Sequence, residues 1–261
     1  MRRMGIGVQL YTLRDEMEKD VQGTLRKVAA LGYEGVEFAG YFDVPAKQMR
    51  DWLDELGLQA FSTHVGLTRL RNDLQGEIAY AIAIGARYMP CSYIEPEDRQ
   101  SAEDWRGLIN YFRTTAEEVN KQGLQFCYHN HEFEFETKLD GMSVYDQLFG
   151  QISEQEIKSE LDVCWVQFAG EDPLAYIRRY AGRLPLLHLK DFTLGEEKQM
   201  ITLQLGQGKV NLPAVLEEAS RAGVEWLIVE QDVCQNPPFE SIEASMQWLK
   251  DHYLTKVGVS S

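Results

Sequence analysis

The chain has 261 residues, 44% of them hydrophobic, which is ample for one sizeable core and awkward for two. Its 26 Lys and Arg stand against 41 Asp and Glu, and the resulting net charge of -15 repels nucleic-acid phosphates and anionic membranes. The expected partner is therefore a small molecule, with homo-oligomerisation left open. No apolar run approaches the ~20 residues of a membrane-spanning helix. The basic start, Met1 to Met4, leads into a strand pattern rather than a signal-peptide core, so the cytoplasm is the expected location. Cys91, Cys127, Cys164 and Cys234 have no CxxC-type spacing. They read as reduced, buried thiols rather than as a zinc knuckle or redox pair.

In chain order, eight short apolar runs alternate with helical segments: 5–10, 33–38, 58–63, 86–90, 124–129, 157–162, 184–190 and 224–230. A glycine precedes five of them, at Gly32, Gly57, Gly85, Gly123 and Gly223. Each fits the left-handed position after a helix C-terminus, where a side chain clashes, and leaves an αβ loop of about two residues. Helical periodicity is clearest over 21–31, 102–121 and 212–222. In the first of these Val21, Leu25, Val28 and Ala29 share a face. Eight such units predict a single (β/α)₈ TIM barrel over 1–254, with a frayed tail at 255–261. An open doubly wound sheet predicts a glycine-rich loop after the first strand, and Gln9-Leu10-Tyr11-Thr12-Leu13-Arg14 is not one. Longer loops follow the fifth strand (132–140) and the seventh (192–209), both on the C-terminal face, where either could cover a site.

In such a barrel the strand ends deliver side chains to one mouth. The third run ends in His64 and the fifth in His129-Asn130-His131, with Glu132 and Glu134 just beyond. The sixth ends in Asp162, the seventh in His188, then Lys190 and Asp191, and the eighth in Glu230, Gln231 and Asp232. Singly, each has an ordinary structural reading: Asp162 as a helix N-cap, Glu230 as a partner of a nearby base. Together, Asp162, His188 and Glu230 come from three adjacent strands and point at one place. Two carboxylates and a His, with a fifth-strand ligand, suit Mn²⁺ first, or Mg²⁺, Co²⁺ or Zn²⁺. The fifth-strand ligand is open between His129, which reaches the mouth directly, and Glu134, which needs the loop to turn back but balances the charge better. On charge, the expected ligands are Glu134, Asp162, His188 and Glu230.

These segments resemble the xylose-isomerase-like barrel superfamily of sugar isomerases and epimerases over nearly the whole chain. The resemblance rests on the segment from Gln9 to Asp15, Tyr128-His129-Asn130-His131 with Glu134-Phe135, the segment from Leu161 to Trp165, the segment from His188 to Asp191, the segment from Val229 to Asp232, and Gly206-Gln207-Gly208 ahead of a helix. Members typically hold one divalent cation with Glu, Asp, His and Glu from strands five to eight. The resemblance thus implies that Asp162, His188 and Glu230 fill three places, and the chain departs from the pattern where His129 stands at the fifth strand end. The superfamily also holds inositol-derivative dehydratases, lyases of 3-keto sugars and DNA-repair endonucleases. The charge of -15 argues against the last branch.

The implied reaction is metal-assisted proton transfer beside a carbonyl of a ketose or related polyol derivative, as isomerisation or epimerisation. The alternative is dehydration or lysis of an inosose or 3-keto sugar. A non-catalytic sugar-binding barrel is the alternative of another class. Glu230 and Glu134 are candidate bases, with His64, His129 and His131 as alternatives. Lys190 is a candidate holder of an oxyanion. Tyr11, His129, Trp165 and Gln231 are candidate substrate contacts, with Tyr11 and Trp165 as a wall for a sugar face.

Overall fold

The computed structural model describes residues 1–258. Eight parallel strands close a barrel: β1 (Gly5–Gln9), β2 (Gly35–Phe38), β3 (Gln59–Thr63), β4 (Tyr88–Cys91), β5 (Gln125–His129), β6 (Lys158–Asp162), β7 (Leu186–Leu189) and β8 (Trp226–Val229). Each pairs with its neighbours in sequence, and β8 closes on β1 through Gly5 opposite Trp226 and Val8 opposite Val229. The predicted fold class is the one found. Most strands start one or two residues later than hydropathy alone suggests. At β7 the reason is Pro185, which has no N–H for a ladder; its carbonyl accepts from Glu225 and Trp226.

The helices predicted over 21–31, 102–121 and 212–222 have those bounds. Asp20 caps the first and a Ser101–Asp104 capping box opens the second. Leu25 and Val28 are fully buried against the strands, with Val21 and Ala29 at the margin. Gly32, Gly57, Gly85 and Gly223 hold left-handed C-caps.

Alternate strand residues fill the barrel. Its lower interior is apolar, packing Phe61, Tyr88, Cys127, Leu186 and Ile228 with Trp226. The Phe61 and Trp226 rings stack at 4.2 Å. They fit because Gly5, Gly7 and Gly35 face them: a Cβ on Gly7 would lie 2.3 Å from Phe61, and one on Gly5 2.6 Å from Trp226. Above this plug the interior turns polar. The loop after β5 folds into a short helix (Phe133–Glu136) and a two-stranded turn (Lys138–Leu139 with Met142–Ser143). The loop after β7 forms a hairpin, Asp191–Leu194 against Met200–Leu203. At the C-terminus Thr255–Val257 continues helically where fraying is expected, and the same expectation for 259–261 lies outside the described residues.

Candidate metal centre

The side-chain period of two sends Glu37, Glu160 and His188 into the barrel from β2, β6 and β7. All are fully buried, and they meet His64 at the end of β3. His188 Nε2 lies 2.8 Å from Glu37 Oε1, which also accepts from Gln9 Nε2 at 2.8 Å. His64 Nε2 lies 2.5 Å from Glu160 Oε2 and 3.2 Å from Glu37 Oε1. Two residues up each strand is the next layer. Here His188 Nδ1 lies 2.9 Å from Glu230 Oε2 and 4.0 Å from Asp162 Oδ2, and His129 Nε2 lies 3.7 Å from Asp162 Oδ2.

Two overlapping sets of potential ligands result. His129, Asp162, His188 and Glu230 each offer an atom within 4.8 Å of the others, and so do His64, His129, Glu160 and His188 one layer lower. The upper set matches three of the expected ligands and substitutes His129 for Glu134. Its groups fit a divalent cation on the structure's own terms. Both ring nitrogens of buried His129 lack a hydrogen-bond partner, and Asp162 Oδ2 accepts no aligned hydrogen bond. Asp162 Oδ1 is committed to the N–H groups of Cys164 and Trp165, which leaves only Oδ2 as a ligand. The Glu37 carboxylate on His188 Nε2 fixes the ring with Nδ1 toward Glu230, a common way of orienting a ligating His.

Electrostatics follow from burial and crowding. Burial pushes Asp162 up, but Lys190 and then His129 outweigh it and hold the carboxyl well below its ordinary value. Burial likewise opposes ionisation of Glu230, and Lys190 with His188 reverses it. Glu160 is lowered to about 2 because His64 and His188 overcome its burial. Burial disfavours the charged form of His188, yet Glu160 and Glu230 hold its pKa well above 6.5. His129 goes the other way, lowered to about 4 by burial and by the neighbouring His188, so its imidazole is neutral and able to ligate.

Above the upper set opens a cavity of about 550 Å³, the size of a small-molecule site. Tyr11, His64, His129, His131, Trp165 and Glu230 all line it. His131, Phe133, Tyr93 and Trp165 form a connected aromatic wall, with His131 stacked on Phe133 at 5.4 Å and tilted toward Trp165 at 5.3 Å.

Three expected residues do not line the cavity. Glu134 turns back from the mouth: its carboxylate accepts from Tyr128 Oη at 2.6 Å and from the His131 N–H at 2.8 Å, and it is in neither ligand set. Gln231 points to the hairpin, donating to the Thr202 carbonyl. Lys190 is fully buried below the cavity among Asp162, Glu230 and Asp232 rather than facing it. Conversely, the pattern of strand ends does not single out Glu37 and Glu160. Their one signal is an acid in phase with the inward positions of a strand-like run, as Glu160 stands two residues before Asp162. The Gly206-Gln207-Gly208 stretch serves a buried carboxylate of the chain itself: Asp191 accepts from the N–H groups of Gly206, Gly208 and Val210.

The model of the xylose isomerase-like TIM barrel matches residues 25–252. The chain belongs to that family. An inosose dehydratase of Lacticaseibacillus casei is 22% identical over 265 residues, covering 86% of this chain and 88% of the relative. A crystal structure of a sugar phosphate isomerase/epimerase from Parabacteroides distasonis superposes with a TM-score of 0.80 at 22% identity, over 95% of this chain and 98% of its own. A crystal structure of an IOLI protein with a bound zinc atom gives a TM-score of 0.73 at 13% identity, over 97% and 98%. At these identities the solved structures speak to the fold.

Proposed function

We propose that this barrel removes a proton beside the carbonyl of a keto-sugar or keto-cyclitol, aided by one divalent ion held by His129, Asp162, His188 and Glu230. The observation that carries the reading is the convergence of these four side chains beneath the cavity, with both His129 ring nitrogens unpartnered and Asp162 Oδ2 accepting no aligned hydrogen bond. A divalent ion bound there supplies Lewis-acid polarisation of the carbonyl and offsets the negative charge that develops on its oxygen.

The chain's own groups do the rest. Trp165 and Tyr11 flank the cavity and position a sugar ring. Glu230 lines the cavity with Oε2 tied to His188, which leaves its second oxygen as the candidate base. His131 lines the wall as a neutral imidazole, lowered well below 6.5 by burial and by His129, and can receive a proton. His64, its pKa raised because Glu37 and Glu160 overcome its burial, lines the cavity and is the candidate to deliver a proton to a departing hydroxyl. A proton donor and proton acceptors lining one cavity suit loss of a β-hydroxyl, and the likeness to inosose dehydratase supports that outcome. The second reading is return of the proton, as an isomerase or epimerase does it. The likeness to the Parabacteroides distasonis sugar phosphate isomerase/epimerase supports this one.

The test is incubation of an inosose, and separately of a ketose, in D₂O with Mn²⁺, followed by NMR. Deuterium entry at the carbon beside the carbonyl, with or without dehydration, is expected for at least one. Binding of both ligands with no exchange and no product would leave a sugar-binding barrel instead.

A further inference from the structure

Lys190 is the one lysine among the fully buried large side chains. Its ammonium lies 2.9 Å from Asp162 Oδ2, 2.8 Å from Glu230 Oε2 and 2.9 Å from Asp232 Oδ2. The contacts are not equivalent. Only the one to Asp232 is an aligned hydrogen bond. Asp162 Oδ2 accepts no aligned hydrogen bond, and Glu230 Oε2 is hydrogen-bonded by His188. Lys190 is thus seated on Asp232, at the cavity rim, and held to the other two acids by charge alone.

The same two oxygens are wanted twice. Asp162 has spent Oδ1 on the backbone of Cys164 and Trp165, so a cation bound by Asp162 must take the oxygen that now faces the ammonium. Removing that ammonium without replacement would leave the Asp162 and Glu230 carboxylates buried without the counter-cation that touches both, a costly arrangement. Keeping it at full contact beside a dication is costly for the opposite reason.

Resting on the metal reading above, we propose that Lys190 and the divalent ion are alternative counter-cations of one carboxylate group, and that Asp232 is the seat to which Lys190 withdraws when the ion is loaded. Lys190 holds the metal-free barrel together and weakens metal affinity. On loading, its ammonium leaves Asp162, stays on Asp232 and turns toward the cavity. There, beside the Trp165 ring 5.4 Å away, it meets a substrate oxygen that gains negative charge. A group hidden in the metal-free protein thereby joins the site only when the ion is present.

The experiment measures Mn²⁺ affinity by titration calorimetry, and thermal stability with and without Mn²⁺, for chelator-treated wild type, Lys190→Met and Asp232→Asn. Lys190→Met is expected to unfold at lower temperature without metal, to bind Mn²⁺ at least tenfold more tightly and to gain more stability from Mn²⁺ than wild type does. Asp232→Asn, which removes the alternative seat, is expected to bind Mn²⁺ at least tenfold more weakly, and this arm stands if Lys190→Met does not fold. Affinity unchanged or lowered in Lys190→Met, or unchanged in Asp232→Asn, overturns the competition while leaving the metal site intact. Failure of Mn²⁺ to bind wild type and Lys190→Met alike overturns the underlying metal reading as well.

Discussion

At the scale of single residues, His129 and Glu134 make the sharpest contrast. The sequence favours Glu134 on charge, but the folded chain spends its carboxylate on Tyr128 and the His131 N–H and leaves His129 bare at the floor of the mouth. His129→Asn is therefore predicted to weaken Mn²⁺ binding at least tenfold while Glu134→Gln changes it little, as read by equilibrium dialysis. The reverse order would return Glu134 to the ligand set. Glu134 has its own signature in pH. Burial raises its pKa to about 8, against 4.5 for the free side chain. Between those values the folded chain keeps a proton that the unfolded chain releases, so this group lowers stability as pH rises from about 4.5 to about 8, and the cost is complete above that. Urea unfolding across this range is predicted to show wild type losing stability relative to Glu134→Gln by a few kcal/mol. A difference that stays constant with pH would contradict it. Asp162, His188 and Glu230 are legible in the sequence because each falls at or near the end of a strand-like run. Glu37 and Glu160 are not, because each sits inside a run, and only the strand phase reveals that they face inward.

At the scale of elements, the barrel is legible because three independent signals agree: glycine after each of several helices, a strand within two residues, and helical faces of period 3.6. Less legible is why β1 and β2 carry so many glycines. The structure supplies the reason in the Phe61–Trp226 stack that plugs the lower barrel. At Gly35 an added Cβ would lie 2.6 Å from the Gln59 carbonyl, which is backbone and cannot swing aside. Gly35→Ala is predicted to cost about 1–3 kcal/mol in chemical denaturation, as overpacking does, and a neutral result would mean the strands can part there. The hairpin after β7 answers to Asp191 in the same way. Its carboxylate gathers the N–H groups of Phe192, Gly206, Gly208 and Val210, and a Cβ on Gly208 would lie 2.3 Å from it. A resemblance in sequence at Gly206-Gln207-Gly208 thus marks a cradle for the chain's own Asp191 carboxylate.

At the scale of the whole molecule, charge and cavity together argue against a nucleic-acid substrate. A surface at -15 repels phosphate, and the cavity is lined by Glu132, Glu230 and Asp232 alongside its aromatic wall. No nicking of duplex DNA containing an abasic site is expected with Mn²⁺ or Zn²⁺; cleavage at a rate matching turnover of any keto-sugar would contradict this. What length, period and charge do not convey is depth. The polar interior has two layers, and His64, His129, Glu160 and His188 offer a lower seat beneath the upper one. Anomalous diffraction from crystals soaked in Mn²⁺ distinguishes them. One peak bounded by His129, Asp162, His188 and Glu230 is the predicted result. A peak in the lower set alone, or none within the barrel, would contradict the account.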